Sequence, residues 1–561
     1  MPDQTAEHTD VLIAGGGLAG LASALFLREQ GVRCLLAERH PGTSIHPRAR
    51  GVNVRTMEIL RSTGLEPAIR ATLSAQALRD NTGIVMARSL AGESLGELQR
   101  SYVEESLGDL ATLSPTGWCL CDQDELEPVL REAATARGAD VRFGTELVSW
   151  EDGGDSVHAV LADAAGTTAV QARYLVAADG AASPIRSRLG IGMTGPGTLA
   201  YYMNIYFRAD LTEPLGDRRF ILCYIAGPNV MGALLPVNNT DRWLLHIPFD
   251  PIAGGRELFP RERCAELIRA AAGLPDLDLD VVDVLPWEAA GRTADQFRSG
   301  RVFLAGDSAH LMPPTGAFGS NTGIQDAHNL AWKLGAVLRG DASPALLDSY
   351  DAERRPVVAA TVEQAVLRSK DRPRSVQAAR RKASPAIRPD NMVIFGYRYG
   401  LDGAEPGWDY PPTGEPGSRA PHVTLRRGDR ELSVLDLFGP GFTLLCGAAG
   451  TAWADAAFAL GSQLGQGLAV HRIGSSPGSG DAWAPDGAWH AAYGVGPDGA
   501  VLVRPDGFIT WRCPAAPADP EAALASALSA ALARTITAGS AGFVRRACHP
   551  LHEPTTTPAV A

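Results

Sequence analysis

Three glycines near the N-terminus have the spacing of a phosphate-binding turn. Gly15, Gly17 and Gly20 follow the apolar run DVLIA and open the run LAGLASALFL, which predicts a strand, a tight turn and a helix. The glycines let a pyrophosphate approach the helix N-terminus, where free N–H groups favour negative charge. Glu38 ends the next strand, where its carboxylate can accept hydrogen bonds from a ribose diol. The spacing predicts a dinucleotide site.

Two more acidic residues end apolar strands further along the chain. Asp179, in YLVAADG, precedes Gly180, and Asp307, in RVFLAGD, follows Gly306. Ligands of a doubly wound sheet lie beyond the carboxyl ends of its strands, so both acids are expected to converge with the glycine turn. An acid at Asp307 can bind a hydroxyl-bearing linker such as a ribityl chain, and a helix cap is its structural alternative.

The residues after the second acid predict a cradle for a flat ring. Pro314, Gly316 and Gly319 let the backbone press close to a ligand without intervening side chains. A helix with one apolar face is predicted over 322–338. Backbone N–H groups at its N-terminus would stabilise charge on a reduced isoalloxazine ring, which favours FAD over NAD.

The elements that position these residues divide the chain into predicted units. Short β-rich runs between about 200 and 250 indicate an antiparallel sheet inserted into the nucleotide-binding unit, and GLDGAEPGWDYPPTGEPGSRAPH reads as a linker. The expected division is an FAD-binding domain at 1–75, 110–190 and 285–400, a substrate-binding sheet at 76–109 and 191–284, a linker at 401–417, a smaller α/β unit at 418–540 and a disordered tail at 541–561.

Composition argues against several other classes. The formal net charge of -12 disfavours nucleic acid or an anionic membrane as the partner. The eight cysteines contain no Cys-x-x-Cys pair and no zinc spacing, so no metal is expected and a reducing cytoplasm is favoured. The apolar N-terminal run contains glycines and lacks a basic flank, which fits a buried strand and helix better than a signal peptide or membrane span.

Five stretches resemble a known family. GGGLAG, YLVAADG and RVFLAGDSAHLMPPTGAFGSNTGIQDAHNLAWKL together resemble the FAD-dependent aromatic hydroxylases of the para-hydroxybenzoate hydroxylase type. HPRARGVNVRTMEILRSTG and DLFGPGFTLL are similar to the subgroup that hydroxylates polycyclic aromatic polyketides of the anthracycline, angucycline and tetracenomycin kinds. The resemblance implies an α/β fold with a Rossmann-like FAD-binding domain, an inserted antiparallel substrate domain and a C-terminal thioredoxin-like domain.

The resemblance also implies an activity. It indicates a monooxygenase of antibiotic or secondary-metabolite biosynthesis that contains FAD, consumes NADPH or NADH and O2, and acts on a small-molecule aromatic polyketide. Oxygen would pass from a flavin C4a-hydroperoxide to a phenol-like ring, while the flavin moves between a surface and an inner position.

Cofactor residues follow from the matching motifs. The resemblance places Arg48 near the flavin, Gln123 at an FAD contact, Asp307 at the ribityl chain and Asn321 at the flavin pyrimidine edge. The full expected set is Gly15, Gly17, Leu18, Ala19, Gly20, Glu38, Arg39, Arg48, Gln123, Leu147, Asp179, Gly180, Asp307, Pro314, Gly316, Gly319, Ser320 and Asn321.

The prediction of substrate and catalytic residues depends on the alternation of side chains along strands and on one motif. Side chains two apart on a strand share a face, and sheet packing is the alternative explanation of that face. Arg398, in FGYRYG, matches a short motif of the polyketide hydroxylases and would favour a substrate phenolate. His310 is expected to be a structural neighbour of the flavin loop. The candidate substrate residues are Tyr202, Asn204, Tyr206, Tyr224, His246 and Arg398, and the candidate catalytic residues are Arg398, Tyr224 and Pro314.

The C-terminal unit and the reaction leave alternatives open. Cys446 is followed by Gly-Ala-Ala, so the thioredoxin-like domain lacks Cys-x-x-Cys and is expected to be structural, with a homodimer left open. Baeyer–Villiger oxygenation and inactivation of an antibiotic use the same scaffold. A non-catalytic FAD-dependent binding protein is the alternative from another class.

Overall fold

The computed structural model describes residues 6–99, 110–371, 384–400, 407–408 and 410–539. Within these ranges the chain forms two eight-stranded sheets, one seven-stranded sheet and two short two-stranded ribbons. The mixed α/β fold class is confirmed. The predicted tail at 541–561, and parts of the predicted segments 76–109 and 401–417, lie outside the described residues. The domain boundaries stay predictions.

The first sheet, called the nucleotide sheet, has a parallel core. Val302–Leu304, Gly166–Ala177, Glu7–Ala14, Cys34–Glu38 and Asp140–Phe143 lie side by side in that order, each parallel to the next. Helices cover both faces of a parallel sheet, which is why its strands are continuously apolar. Its remaining strands are Glu146–Asp152, Val157–Asp163 and Arg298–Ser299.

Two long helices pack against each other beside this sheet. Leu18–Glu29 follows the glycine turn and contacts Gly319–Arg339. The second helix begins earlier than predicted because Gly319, Ser320 and Asn321, which are poor helix formers, already belong to it. The other helices before the C-terminal unit are Val54–Ser62, Glu66–Arg70, Leu73–Ala77, Gln123–Ala136, Pro184–Arg188, Thr212–Leu215, Arg261–Ala272, Asp348–Lys370 and Asp390–Phe395.

The second sheet, called the substrate sheet, is mostly antiparallel, as expected. Its order is His310–Leu311, Asp280–Ala294, Met193–Arg208, Arg242–Pro248, Met231–Pro236, Leu222–Ala226, Ile84–Ala87 and Ser94–Gln99. One pair differs: Leu222–Ala226 runs parallel to Ile84–Ala87, because the chain enters this edge from a distant segment. The face that carries Met203, Ile205 and Phe207 packs in a core with helix Arg261–Ala272.

The C-terminal unit has a mixed sheet flanked by helices. Its strands are Thr424–Arg427, Arg430–Ser433, Phe442–Gly447, Leu468–Gly474, Ala482–Trp483, Ala500–Val503 and Ile509–Cys513, and its helices are Thr451–Gly461, Ala488–Tyr493 and Pro520–Leu532. The ribbons are Tyr397–Arg398 with Gly407–Trp408, and Gly51–Val52 with Cys119–Leu120. A thioredoxin-like assignment stays a prediction. None of the helices described is long and apolar enough to cross a membrane.

Candidate active site

Three turns meet at the carboxyl edge of the nucleotide sheet. A Cβ on Gly15 would lie 2.2 Å from the carbonyl oxygen of Ala178, which places the glycine turn against the Asp179 turn. A Cβ on Gly306 would lie 2.7 Å from the Cβ of Ala19. The structure therefore brings together the three distant motifs that the sequence places at strand ends.

The glycines of the first turn differ in what surrounds them. A Cβ on Gly20 would lie 1.9 Å from the carbonyl oxygen of Gly15, so this position admits only glycine. A Cβ on Gly17 would meet a single atom within 4 Å, Oε1 of Glu127 at 3.9 Å. Gly17 opens helix Leu18–Glu29 as its N-cap, so the open space lies where a pyrophosphate would approach the helix N-terminus.

Glu38 lies at the end of its strand, beside the glycine turn. Its carboxylate accepts the N–H of Gly16 at 2.6 Å and the N–H of His40 at 2.8 Å. Burial acts to raise the pKa of Glu38, but these donors hold it below its usual value. A carboxylate has further lone pairs for a diol. The neighbouring Arg39 is exposed.

Leu147 lies on the adjoining hairpin. It pairs with Leu161 and packs partly buried against the core of the nucleotide sheet. The N–H of Thr145, two positions earlier, donates to the carbonyl of Glu38 at 2.8 Å. This contact puts the hairpin next to the Glu38 end of the site.

Asp179 has a local structural role. It accepts the hydroxyl of Ser183 at 2.6 Å and the N–H of Ile185 at 3.2 Å, at the start of helix Pro184–Arg188. Gly180 has φ +84°, and no heavy atom lies within 4 Å of a Cβ built there. A cofactor contact at these two residues stays a prediction, and the turn geometry alone accounts for the carboxylate.

Asp307 is exposed although the residues on both sides of it are buried. An exposed carboxylate within a buried turn marks the wall of a cleft. Desolvation by the surrounding buried residues raises the pKa of Asp307, and the charges of His310 and Arg48 oppose that rise. Arg48 belongs to a segment far from Asp307 in sequence, and its charge acts on the Asp307 carboxylate.

The segment that follows Arg48 links two further candidates. The N–H of Gln123 donates to the carbonyl of Ala49 at 2.8 Å, and the Asn321 amide donates to the carbonyl of Gly51 at 2.8 Å. The Oδ1 of Asn321 accepts the N–H of Asn53 at 2.9 Å. Segment 48–53 is thus held between the Gln123 helix and the start of helix Gly319–Arg339.

The proline–glycine loop leads directly into that helix. Pro314 is exposed, and Gly316, at φ +92°, would place a Cβ 2.3 Å from the ring of Phe318. The N-cap residue Phe318 makes no side-chain hydrogen bond to the helix. The N–H groups of Gly319 and Ser320 therefore lie at a helix N-terminus without a side-chain cap, which suits an electron-rich ring edge.

These residues fit FAD. The open space at Gly17, the exposed residue Asp307 and the uncapped helix N-terminus belong to neighbouring elements, since a Cβ on Gly306 would lie 2.7 Å from the Cβ of Ala19 and 3.8 Å from the Cα of Gly323. Glu38 and Asp307 would hold hydroxyl groups, the two helix N-termini would face the anionic parts, and bound FAD supplies the oxygen chemistry.

One face of the substrate sheet carries an aromatic wall, defined as Tyr202, Asn204, His246 and Trp287. Tyr202 stacks on Trp287 with ring centroids 4.9 Å apart, and His246 packs edge-on against Trp287 at 5.9 Å. Asn204 pairs with His246 across the strands. The Oδ1 of Asn204 and the Nε1 of Trp287 are buried without a hydrogen-bond partner among the described residues. Such groups call for a partner, here a ligand or water.

The other substrate candidates lie in different surroundings. The hydroxyl of the buried residue Tyr206 accepts a hydrogen bond from Nε of Arg242 at 2.8 Å, so Tyr206 already has a partner within the protein. Tyr224 lies in the same cross-strand register as Asn204, His246 and Ala233. Two strands lie between Tyr224 and Asn204, so at the usual spacing of strands the two residues are about 14 Å apart. Arg398 lies in the short ribbon with Gly407, beside the C-terminal unit.

Sequence reasoning missed several residues of this region. Glu127 is buried and accepts the N–H of Ser44 at 2.7 Å and the amide of Gln123 at 2.6 Å. Its spacing of four residues from Gln123 is the only signal in the sequence. Trp287 lies on a strand for which no motif was recognised. Asp326, an acid within an apolar helix, is a visible anomaly whose partners are all distant in sequence.

Comparison with known proteins places the chain among relatives of similar length. Residues 8–365 match the family described as FAD binding domain, and residues 413–535 match that described as aromatic-ring hydroxylase, C-terminal. Tetracenomycin A2 monooxygenase-dioxygenase of Streptomyces glaucescens is 43% identical over 94% of this chain and 98% of its own length. 4-Methyl-5-nitrocatechol 5-monooxygenase of a Burkholderia species is 43% identical over 93% and 97%.

A solved structure agrees with this placement. Aklavinone-11 hydroxylase, crystallised as a ternary complex with FAD and aklavinone, is 37% identical, has a TM-score of 0.85 and covers 94% of this chain and 100% of that chain. The fold, the cofactor cleft and the relatives agree on the cofactor and on the reaction type. The chain therefore belongs to the FAD-dependent aromatic-ring hydroxylases, flavoprotein monooxygenases that use NAD(P)H and O2.

Proposed function

We propose that the chain hydroxylates a polycyclic aromatic polyketide that lies against the aromatic wall. The observation that carries this proposal is the wall itself. Stacked rings at 4.9 Å offer a flat apolar surface, and two buried polar atoms within it, Oδ1 of Asn204 and Nε1 of Trp287, have no hydrogen-bond partner in the described part of the chain. A flat multi-ring molecule with phenol or quinone oxygens matches both properties. The names of the tetracenomycin and aklavinone relatives support this substrate class.

In the proposed reaction the protein orients and shields the substrate. Tyr202 and Trp287 hold the ring plane, and the Oδ1 of Asn204 accepts a hydrogen bond from a ring hydroxyl, which fixes the carbon presented to the cofactor. Arg398 is proposed, on its motif alone, to favour the phenolate, which is more easily oxidised than the phenol. Scattered cysteines, of which the seven described are free, support a cytoplasmic location.

The experiment compares substrates of different size. Oxidation of NADPH and of NADH is followed with a panel of polycyclic phenols and quinones and with single-ring catechols. The products formed under 18O2 are analysed by mass spectrometry. We expect polycyclic phenols to stimulate oxidation and to gain one labelled oxygen on a ring carbon. Stimulation by single-ring catechols alone would favour a single-ring substrate like that named for the Burkholderia relative. A lactone product would favour Baeyer–Villiger oxygenation. A flavoprotein that is inert with every compound would contradict the proposal.

A variant pair tests the wall. Asn204→Leu should raise KM about tenfold, because the hydrogen bond from the ring hydroxyl to the Oδ1 of Asn204 is lost. Met203→Leu changes the neighbouring residue on the opposite face and should leave KM unchanged. Equal KM values for the two variants would remove Asn204 from the proposed site.

A further inference from the structure

Asp326 lies fully buried directly behind the Asp307 turn, defined as Gly306–Ser308. Its Oδ2 accepts the N–H of Gly306 at 3.2 Å and contacts Nε2 of His310 at 2.8 Å. One carboxylate oxygen therefore contacts the first residue of the turn that presents Asp307 and the residue two positions after the turn ends. No motif of the sequence assigns a role to this residue.

Asp326 is itself fixed from the other side. Nε of Arg354 donates to Oδ1 of Asp326 at 2.8 Å, and both side chains are fully buried. Arg354 also donates to the hydroxyl of Tyr399 at 3.2 Å. Burial acts to raise the pKa of Asp326, but Arg354 and His310 lower it, so the group stays an anion. A buried anion with paired donors cannot turn without breaking several charged hydrogen bonds.

The same contacts continue into a larger buried cluster, defined as Lys333, Glu353, Arg504 and Asp506. The amide of Asn329 donates to Glu353 at 2.8 Å and to Asp506 at 3.1 Å, and lies 3.5 Å from the hydroxyl of Tyr399. Arg504 and Asp506 belong to the C-terminal unit. A continuous set of polar contacts thus joins that unit to the Asp307 turn.

We infer that Asp326 is a positioning residue, which fixes the Asp307 turn in the geometry that binds FAD. The inference rests on the proposed cofactor role of Asp307. Holding Gly306 and His310 keeps the Asp307 carboxylate directed into the cleft. Tyr399 and Asn329 extend this constraint to the C-terminal unit, so that unit supports the turn through polar contacts.

The test measures FAD affinity of reconstituted apoprotein by quenching of flavin fluorescence. Asp326→Asn should raise the dissociation constant of FAD about tenfold or more, because this factor corresponds to the free energy of one hydrogen bond to a charged group. Glu58→Gln is the matched control, because Glu58 is a buried carboxylate paired with Arg419 that does not contact the turn. It should leave the FAD dissociation constant within about twofold while showing a comparable loss of thermal stability.

Two variants of His310 test the same inference if Asp326→Asn does not fold. His310→Phe removes the donor to Asp326 and leaves the Asp326–Arg354 pair intact, so it should weaken FAD binding. His310→Gln keeps an N–H donor and should restore much of the affinity. Wild-type affinity in folded Asp326→Asn or in His310→Phe, or an equal loss in Glu58→Gln, would overturn the inference.

Asp307→Ala separates this inference from the role on which it rests. Weak FAD binding in Asp307→Ala with normal binding in Asp326→Asn would refute only the positioning role. Normal binding in Asp307→Ala would refute the proposed contact between Asp307 and the cofactor.

Discussion

At the scale of single residues, two positions of the cofactor site are open where their neighbours are closely packed. Asp307 is exposed between buried neighbours, and Gly17 faces open space although Gly20, in the same motif, has none. Residues of one motif therefore differ in their tolerance of change. Gly20 serves the fold, and Gly17 serves the ligand.

A pair of glycine variants separates these roles. Gly17→Ala should leave the free energy of unfolding of the apoprotein within about 0.5 kcal/mol, while FAD affinity falls about tenfold or more because the new methyl group occupies the approach of the pyrophosphate. Gly20→Ala should prevent correct folding, because its Cβ would lie 1.9 Å from the oxygen of Gly15. Urea denaturation and FAD titration measure both effects. Gly439→Ala, in an open exposed loop, is the control; unchanged FAD affinity in Gly17→Ala would contradict this role.

His46 predicts a pH dependence. It is almost fully buried beside the ring of Tyr206, and desolvation lowers its pKa to about 4. The unfolded chain, with a pKa of about 6.5, binds a proton that the folded chain does not, so stability falls as pH drops from about 6.5 to about 4. In urea denaturation at pH 7 and 4.5, His46→Asn should remove about 2–3 kcal/mol of this loss.

The exposed His8 provides the control for this measurement. His8→Asn should retain the full acid sensitivity of the wild type. The explanation fails if His46→Asn loses as much stability between pH 7 and 4.5 as the wild type does.

At the scale of elements, segment 48–53 joins the two helices that flank the flavin end of the site. Its backbone is held by the N–H of Gln123 on one side and by the side chain of Asn321 on the other. Loop backbone fixed at both ends by helix termini keeps its geometry with few apolar contacts of its own. The position of Arg48 is thus set by hydrogen bonds to its neighbours.

Asn321→Ala tests this arrangement. It removes contacts to Gly51, Asn53 and Ala317, so the free energy of unfolding should fall by about 1–3 kcal/mol. Ser320→Ala, one residue earlier, keeps the backbone donor and should change stability by less than about 0.5 kcal/mol. Thermal unfolding of the two apoproteins makes the comparison, and equal stability would show that the amide does not hold the loop.

Much of this element arrangement is predictable from sequence, and the exceptions have a common cause. The apolar run DVLIA, which ends strand Glu7–Ala14, and the glycines after it are local signals, so the predicted strand, turn and helix agree with the structure. The early start of helix Gly319–Arg339 is not predictable from its poor helix formers. The parallel pair of Leu222–Ala226 with Ile84–Ala87 and the contacts of Glu127 join segments far apart in sequence, and a single sequence contains no spacing that predicts such contacts.

At the scale of the whole molecule, the C-terminal unit is attached through charge as well as apolar packing. Arg504 donates to Glu353 at 2.6 Å and to Asp506, and Lys333 donates to Glu353 at 2.7 Å, all with side chains at most 5% exposed. A buried charge without a partner is energetically costly, so moving the C-terminal unit away from Lys333 and Glu353 would be strongly opposed. The unit lacks a thioredoxin-type cysteine pair, and these contacts give it a structural purpose.

Arg504→Ala measures this attachment. It leaves the buried carboxylates of Glu353 and Asp506 short of a partner, and stability should fall by about 3–5 kcal/mol. Arg472→Ala removes a half-exposed surface pair with Asp481 in the same unit and should cost no more than about 1 kcal/mol. Calorimetry of both proteins provides the comparison. Similar melting temperatures would show that the cluster contributes little to the attachment.

The interleaving of the two large sheets has a consequence for synthesis of the chain. The carboxyl end of strand Gly166–Ala177 gains its second neighbour only when Val302–Leu304 is made, since Val157–Asp163 pairs with its first half. Strand Met193–Arg208 likewise gains its second neighbour only when Asp280–Ala294 is made. A ribosome must therefore deliver more than half of the polypeptide while central strands still show bare hydrogen-bonding edges. Nascent molecules of this protein need protection from one another until about residue 311 has emerged.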